Sequence, residues 1–246
     1  MIRYIPRHFL VLLATLLAAA PAAAQSSEAE IGQVIEKAYY GATGHRTSGI
    51  VEDLRYRKEV WSDEVVRTGG QAITTLRFLD RTTLYVSNNS EVVLDRFVYD
   101  DDSETGTMTI EFAKGAFRFV TGRMSNKDGF ELRTPTAAIG IRGTDLKVSV
   151  APNGTTTVSV LAGEVTLSAL AGGTGTNLSA GESATANASG VSGPEAGDAV
   201  GSGMNMDADA FGGAGGASGG GPGGSGGPGN GGSGGGGHGG GGGGGQ

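Results

Sequence analysis

From about Ile31 to Ala186 the chain alternates apolar and polar residues with period two, and this alternation constrains the fold more than any other feature. In an extended strand successive side chains point to opposite faces, so each run sends every second residue toward a core. Met108, Ile110 and Phe112 alternate with Thr107, Thr109 and Glu111, Phe117 and Phe119 flank Arg118, and Phe130 and Leu132 alternate with Glu131 and Arg133. Leu146, Val148 and Val150 alternate with Lys147 and Ser149, and Val165 and Leu167 flank Thr166. Turn-forming residues punctuate the runs at Asn88-Asn89, Lys114-Gly115, Lys127-Asp128-Gly129, Pro152-Asn153-Gly154, Ala162-Gly163 and Gly172-Gly173. Short strands of about five residues with no long amphipathic helix among them predict an all-β chain. The architecture expected is a single antiparallel-rich β-roll/solenoid or sandwich domain. The clearest hairpin is Leu146 to Val160, with Asn153-Gly154 supplying the positive φ angles of a tight turn. Ser27 to Tyr40 stays open between helix and strand, because Ile31, Val34, Ile35 and Ala38 also fit one helical face.

The alternation stops at about Gly190, where Gly, Ser, Ala and Asn replace it. Of the 48 glycines, 25 lie in Gly212 to Gln246, in blocks without period and with few prolines, so collagen is excluded. Residues 190–246 are expected to be a disordered Gly/Ser-rich tail, since such composition cannot bury enough surface to offset chain entropy. A flexible chain of that length reaches roughly 40 Å, which suits a spacer or a surface-interaction tail. Calcium-binding repeats of the G-G-x-G-x-D type need aspartate, and none follows Asp209. The β domain is expected over 31–186, long enough to bury about two-thirds of its unfolded surface without a disulfide.

Residues 1–24 read as a secretory signal peptide: Arg3 and Arg7 are its cationic region, Phe9 to Ala20 its apolar stretch and Ala22-Ala23-Ala24 its cleavage site. The apolar stretch is well short of the roughly 20 residues that span a bilayer. No membrane span is expected in the mature form, and the product is expected to be exported, periplasmic or extracellular. Without the leader the net charge moves from -7 to -9, since the leader holds two arginines and no acid. An acidic exported chain without a basic stripe is a poor nucleic-acid binder. Cysteine is absent, and of the three histidines His8 is in the leader and His238 in the tail, so His45 is the one imidazole left to the domain. Thiolate sites, multi-histidine metal sites and most triads are thereby excluded, and no enzyme activity, cofactor or metal is expected.

Several segments together resemble the FecR-type domain of bacterial envelope proteins. Val65-Val66-Arg67-Thr68-Gly69 with Leu76-Arg77-Phe78-Leu79-Asp80 is similar to that family's early block, followed by Leu84 to Val92. The sharpest match is Leu132 to Asp145, and Val160-Leu161-Ala162-Gly163-Glu164-Val165 with Ser179-Ala180-Gly181-Glu182 closes it. The resemblance implies an all-β, usually non-catalytic envelope domain. The family's transmembrane regulators carry a cytoplasmic segment and one span. Neither is expected here, so the resemblance is to stand-alone exported members, not to the iron-regulation relay.

Within the sharpest match, Thr134, Pro135, Arg142, Gly143, Thr144 and Asp145 are the candidate binding residues. Arg142 offers a planar five-donor fork to a carboxylate or a sugar. The structural alternative has Pro135 breaking strand pairing, Gly140 and Gly143 allowing close backbone approach, and Arg142 pairing with Asp145 or another local carboxylate. Asp100-Asp101-Asp102 with Glu104 could ligate calcium but lacks the spacing and glycine of an EF-hand loop, and a solvated turn is the simpler expectation. Asp80 with Asp95 is a nominal carboxylate pair for glycoside hydrolysis, and Trp61, Tyr56 and Tyr85 are a nominal sugar-stacking platform. The function expected is a non-catalytic cell-envelope binding module. The alternatives are a periplasmic sensor or regulator of envelope signalling, and a surface or matrix structural component. Its partner is an unidentified envelope protein or polymer.

Overall fold

A computed structural model describes residues 28–37, 41–126 and 129–200. These residues are all-β, with fifteen strands and no helix. The strands are β1 (Glu30–Lys37), β2 (Ala42–His45), β3 (Val51–Asp53), β4 (Glu59–Trp61), β5 (Glu64–Thr68), β6 (Thr74–Phe78), β7 (Thr83–Val86) and β8 (Glu91–Asp100). They continue as β9 (Thr105–Val120), β10 (Phe130–Arg133), β11 (Ala137–Val150), β12 (Thr156–Ala169), β13 (Thr176–Ser179), β14 (Glu182–Asn187) and β15 (Gly190–Ala196). The main path runs β15-β14-β12-β11-β10-β9-β7-β6-β1-β4, with β13 beside β12 and with β8, β5, β2 and β3 leading off β9. Pairing is antiparallel except between β9 and β10. The inward residues along this path, from Val60 of β4 at one end to Ala184 of β14 next to the other, belong to one continuous apolar core. Phe112, Phe117, Phe119, Leu132 and Ile139 are among its fully buried members, with Phe112 against Phe117 at 4.5 Å and Phe119 edge-on to Phe130 at 5.9 Å.

The open question at 27–40 resolves to a strand over Glu30–Lys37. Register shifts at Glu30/Gly32 and Val34/Glu36 break the simple alternation, and these bulges produce the helix-like spacing of Ile31, Val34 and Ile35. Two expected turns are interior to long strands. At Gly115 (φ +103) β9 passes from β8 and β10 to β7 and β11, and a Cβ there would collide with Ser90. Ala162-Gly163 lies opposite a bulge in β11. Glycine marks both positions because the strand changes course there, not because it ends.

The hairpin between β11 and β12 forms as expected, but only Gly154 (φ +82) is left-handed. Its N–H donates to Ala151 O at 2.8 Å and Asn153 caps Thr155 N–H at 3.0 Å, which is a five-residue connection rather than a two-residue one. The ordered array also passes the expected domain end at 186. β15 pairs with β14, and residues 197–200 then turn back so that Val200 is buried and its N–H reaches Ser159 Oγ at 3.1 Å. An edge strand held by backbone hydrogen bonds needs no apolar period, so composition concealed it. The leader and the tail from 201 onward lie outside the described residues, as does Lys127-Asp128 of one expected turn.

Candidate functional site

Four of the six candidate residues are built into the fold. Thr134 ends the β10 run, is buried, and its hydroxyl accepts Ala137 N–H at 2.9 Å and meets the Thr156 hydroxyl at 2.8 Å. Thr136 Oγ1 donates to Gly154 O at 2.7 Å, so the 134–136 turn, with Pro135 exposed at its apex, is fastened onto the β11–β12 hairpin. Gly143 (φ +58) and buried Thr144 form a bulge in β11, and Thr144 O accepts Thr121 N–H at 3.0 Å. Across the bulge Gly163 (φ +84) is obligatory, since a Cβ there would overlap the Gly143 carbonyl.

Asp145 is not the partner of Arg142. Its carboxylate receives a two-pronged contact from Arg118, Nε to Oδ1 at 2.9 Å and Nη2 to Oδ2 at 2.7 Å, on the far side of the bulge. The expected Arg142–Asp145 pair fails because the bulge separates the two residues along β11. Nor does close backbone approach account for both glycines. A Cβ on Gly143 would meet nothing within 4 Å, so its φ is the requirement there, and a Cβ on Gly140 would meet only Thr166 at 3.9 Å.

Arg142 is exposed and makes no ion pair among the described residues. It borders a groove of about 680 Å³ that crosses β10, β11, β12 and β13. Strand register sets its lining in two rows. Glu131, Gly140, Thr166 and Asn177 form one, and Arg142, Glu164 and Ser179 the other. Each row consists of outward positions, while Ile141, Val165 and Leu178 between them, with Phe130 beside Glu131, complete the lining but send their side chains into the core. Thr166 Oγ1 donates to Asn177 Oδ1 at 2.9 Å, and Glu131 is paired with Arg133 at 2.7 Å. The groove was not legible beforehand, because neighbours across strands are set by register. Arg142 was its one visible member.

The other candidates do not converge. Asp80 is buried with both carboxylate oxygens on Thr82, at 2.9 Å to its N–H and 2.6 Å to its hydroxyl, whereas Asp95 is exposed on β8. Asp100 caps the amides of Asp102 and Ser103, which hold its carboxyl below the usual carboxylate range, and Asp101 pairs with Arg123. That acidic run is a turn, and no group of three or more metal-ligating side chains occurs among the described residues. Trp61 lies on β4 beneath the Arg46 guanidinium at 4.3 Å, Tyr56 is exposed nearby, and Tyr85 is on β7, separated from β4 by β6 and β1. They form no common platform.

Residues 64–166 match the family described as FecR protein. That segment is similar to FecR proteins. The matched segment runs from the first residue of β5 into β12, and the strands outside it complete the same sheet: β1 pairs with β6, and β13 and β14 pair with β12. The groove straddles the end of the match, since Asn177 and Ser179 lie beyond it. No curated protein matches the chain. Two crystal structures of a proposed anti-sigma factor from Parabacteroides distasonis ATCC 8503 are similar in fold, at 16% and 18% identity and TM-scores of 0.43 and 0.44. Each comparison covers 55% of this chain and 60% of the other, so this chain spans less than two-thirds of those structures. No helix among the described residues is long and apolar enough to cross a membrane.

Proposed function

We propose that this chain is a non-catalytic, exported FecR-domain protein that serves a sensing or regulatory role in the cell envelope by binding, with the groove beside Arg142 as its recognition face. The FecR domain supports the regulatory or sensing role. The observation that carries the choice of face is Arg142 itself: a fixed five-donor guanidinium, exposed at the rim of a groove while Arg118, Arg133 and Arg46 are each held by a carboxylate. The non-catalytic reading is supported by the dispersal of the nominal acid pair, Asp80 being buried on Thr82 and Asp95 exposed on β8. Export rests on the leader at residues 1–24.

Substitution separates recognition from structure. Arg142→Ala is expected to leave the melting temperature within about 1 °C, as surface changes do, and to cut crosslinking of the protein to its envelope partner in intact cells at least tenfold. A fall of several degrees with capture unchanged would show that Arg142 serves the fold alone.

A further inference from the structure

Gly140 is a glycine that the fold does not require. Its φ is outside the left-handed region, and a Cβ would meet only Thr166, at an ordinary contact distance of 3.9 Å. Glycine within a strand costs stability, because it orders a freer backbone and contributes no side chain to packing. Its side-chain direction is outward, toward the centre of the groove, between Glu131 and Thr166 in the first row and beside Arg142. A bare backbone floor at that point keeps open the space that a valine or threonine would fill.

What the space would accept follows from its walls. Arg142 and the Asn177 amide nitrogen offer donors, Glu164, Glu131 and the Thr166 oxygen, whose proton is given to Asn177, offer acceptors, and Ser179 offers a hydroxyl that serves as either. The lining holds Arg142 against two glutamates, Glu131 and Glu164, and Arg133 outside it pairs with Glu131, which leaves Arg142 and Glu164 as one cation set against one anion. A polyanion would meet two carboxylates. A cationic ligand would meet Arg142. An apolar peptide would gain little, because the apolar residues of the lining, Phe130, Ile141, Val165 and Leu178, are buried in the core and none of the exposed large apolar side chains borders the groove. Mixed donors and acceptors, with one cation set against one unpaired anion, suit a ligand whose own groups donate and accept without charge, which is the chemistry of sugar hydroxyls.

We propose that the groove over Gly140 binds a neutral saccharide segment, held by Arg142, Glu164 and Asn177, as part of an envelope polysaccharide. This rests on the groove being the recognition face. Phe130, the aromatic residue of the lining, has its ring buried in the core and presents no stacking face, so contact to one sugar unit is weak and affinity grows with the number of units that reach the two rows.

The test is titration of the full-length mature protein with neutral hexasaccharides (cellohexaose, chitohexaose and maltohexaose) and their disaccharides, with oligogalacturonate as the charged control, read by NMR shifts of the Gly140, Thr166 and Asn177 amides. At least one neutral hexasaccharide is expected to move these signals and to bind at least tenfold more tightly than its disaccharide and than oligogalacturonate. Gly140→Val is expected to keep or raise the melting temperature while weakening binding at least twentyfold, and Arg142→Ala to weaken it at least tenfold. The inference is overturned if no neutral series moves the groove signals, if the charged control binds more tightly, or if Gly140→Val binds as the parent does. Should saccharides fail while Arg142→Ala still abolishes capture of a protein partner in cells, the saccharide assignment alone falls and the recognition face stands. Should Arg142→Ala alter neither saccharide binding nor capture, both fall.

Discussion

Glu64 is a buried carboxylic acid at a core-facing position of β5, in line with Val66 and Thr68. Gly44 makes the room for it, since a Cβ there would overlap the Glu64 carboxylate, and Trp61 N–H donates to Oε2 at 2.9 Å. Burial pushes its carboxyl above the ordinary value of 4.5, against the opposing pull of the Trp61 amide and the Arg46 guanidinium. The folded state therefore holds this proton more tightly than the unfolded chain does. The stabilisation is fully present below about pH 4.5 and is lost as pH rises through the folded value. Glu64→Gln is expected to raise the melting temperature at pH 7.5 by about 2–4 °C, the response of a domain this size to ~1 kcal/mol. At pH 4 it should have little effect, and equal shifts at both pH values would contradict the assignment. Glu91 runs the other way, held low by Arg67, so acidification removes its contribution. Arg118 and Asp145 are mostly buried and doubly bonded, and Arg118→Ala, which strands the carboxylate, is expected to cost about 2 kcal/mol in urea unfolding. At this scale the sequence was only partly legible. Asp145 stood out in its motif, but its partner lies 27 residues away and could be read only from register.

The glycines of the long strands divide by what their strands do. Gly163 faces the β11 bulge and admits the Gly143 carbonyl, whereas Gly140 faces open space. Gly163→Ala is therefore expected to destabilise by more than about 2 kcal/mol, while Gly140→Val is neutral or stabilising. Comparable losses from both would refute this division. The C-terminal segment is a second element that alternation could not reveal. Lys147 occupies an outward position of β11 yet is buried, and Asp198 meets its ammonium at 2.8 Å while Val200 is bonded to Ser159. Lys147 holds the Asp198 carboxyl below its ordinary value against the opposing effect of burial. Ending the chain after Ala196 is expected to lower the melting temperature by several degrees, and ending it after Val200 to leave it unchanged, as calorimetry would show. Strands with regular alternation, such as β9, β11 and β12, were readable because one face enters the core. β1 was obscured by its bulges and β15 by its lack of any apolar face.

At the scale of the molecule, one sheet supplies a single core from its inner face and leaves an outer face whose chemistry varies along the strands. On one side of the β11 bulge that face carries the Arg118–Asp145 pair and the Lys147–Asp198 contact, both closed on themselves. On the other side it opens into the groove with Arg142 at its rim. The bulge at Gly143 and Thr144 thus separates a structural half of the family's most recognisable segment from its free half. In the proposed function the groove is the surface that meets the partner. Site-specific photocrosslinking in intact cells tests it most directly, with the reactive group placed at Thr166 in the groove or, one at a time, at exposed Leu161 and Leu170 outside it. A crosslinked species from position 166, absent from 161 and 170 and lost when Gly140→Val is added, is the predicted result. Equal crosslinking from all three positions, or from 166 regardless of Gly140→Val, would contradict it.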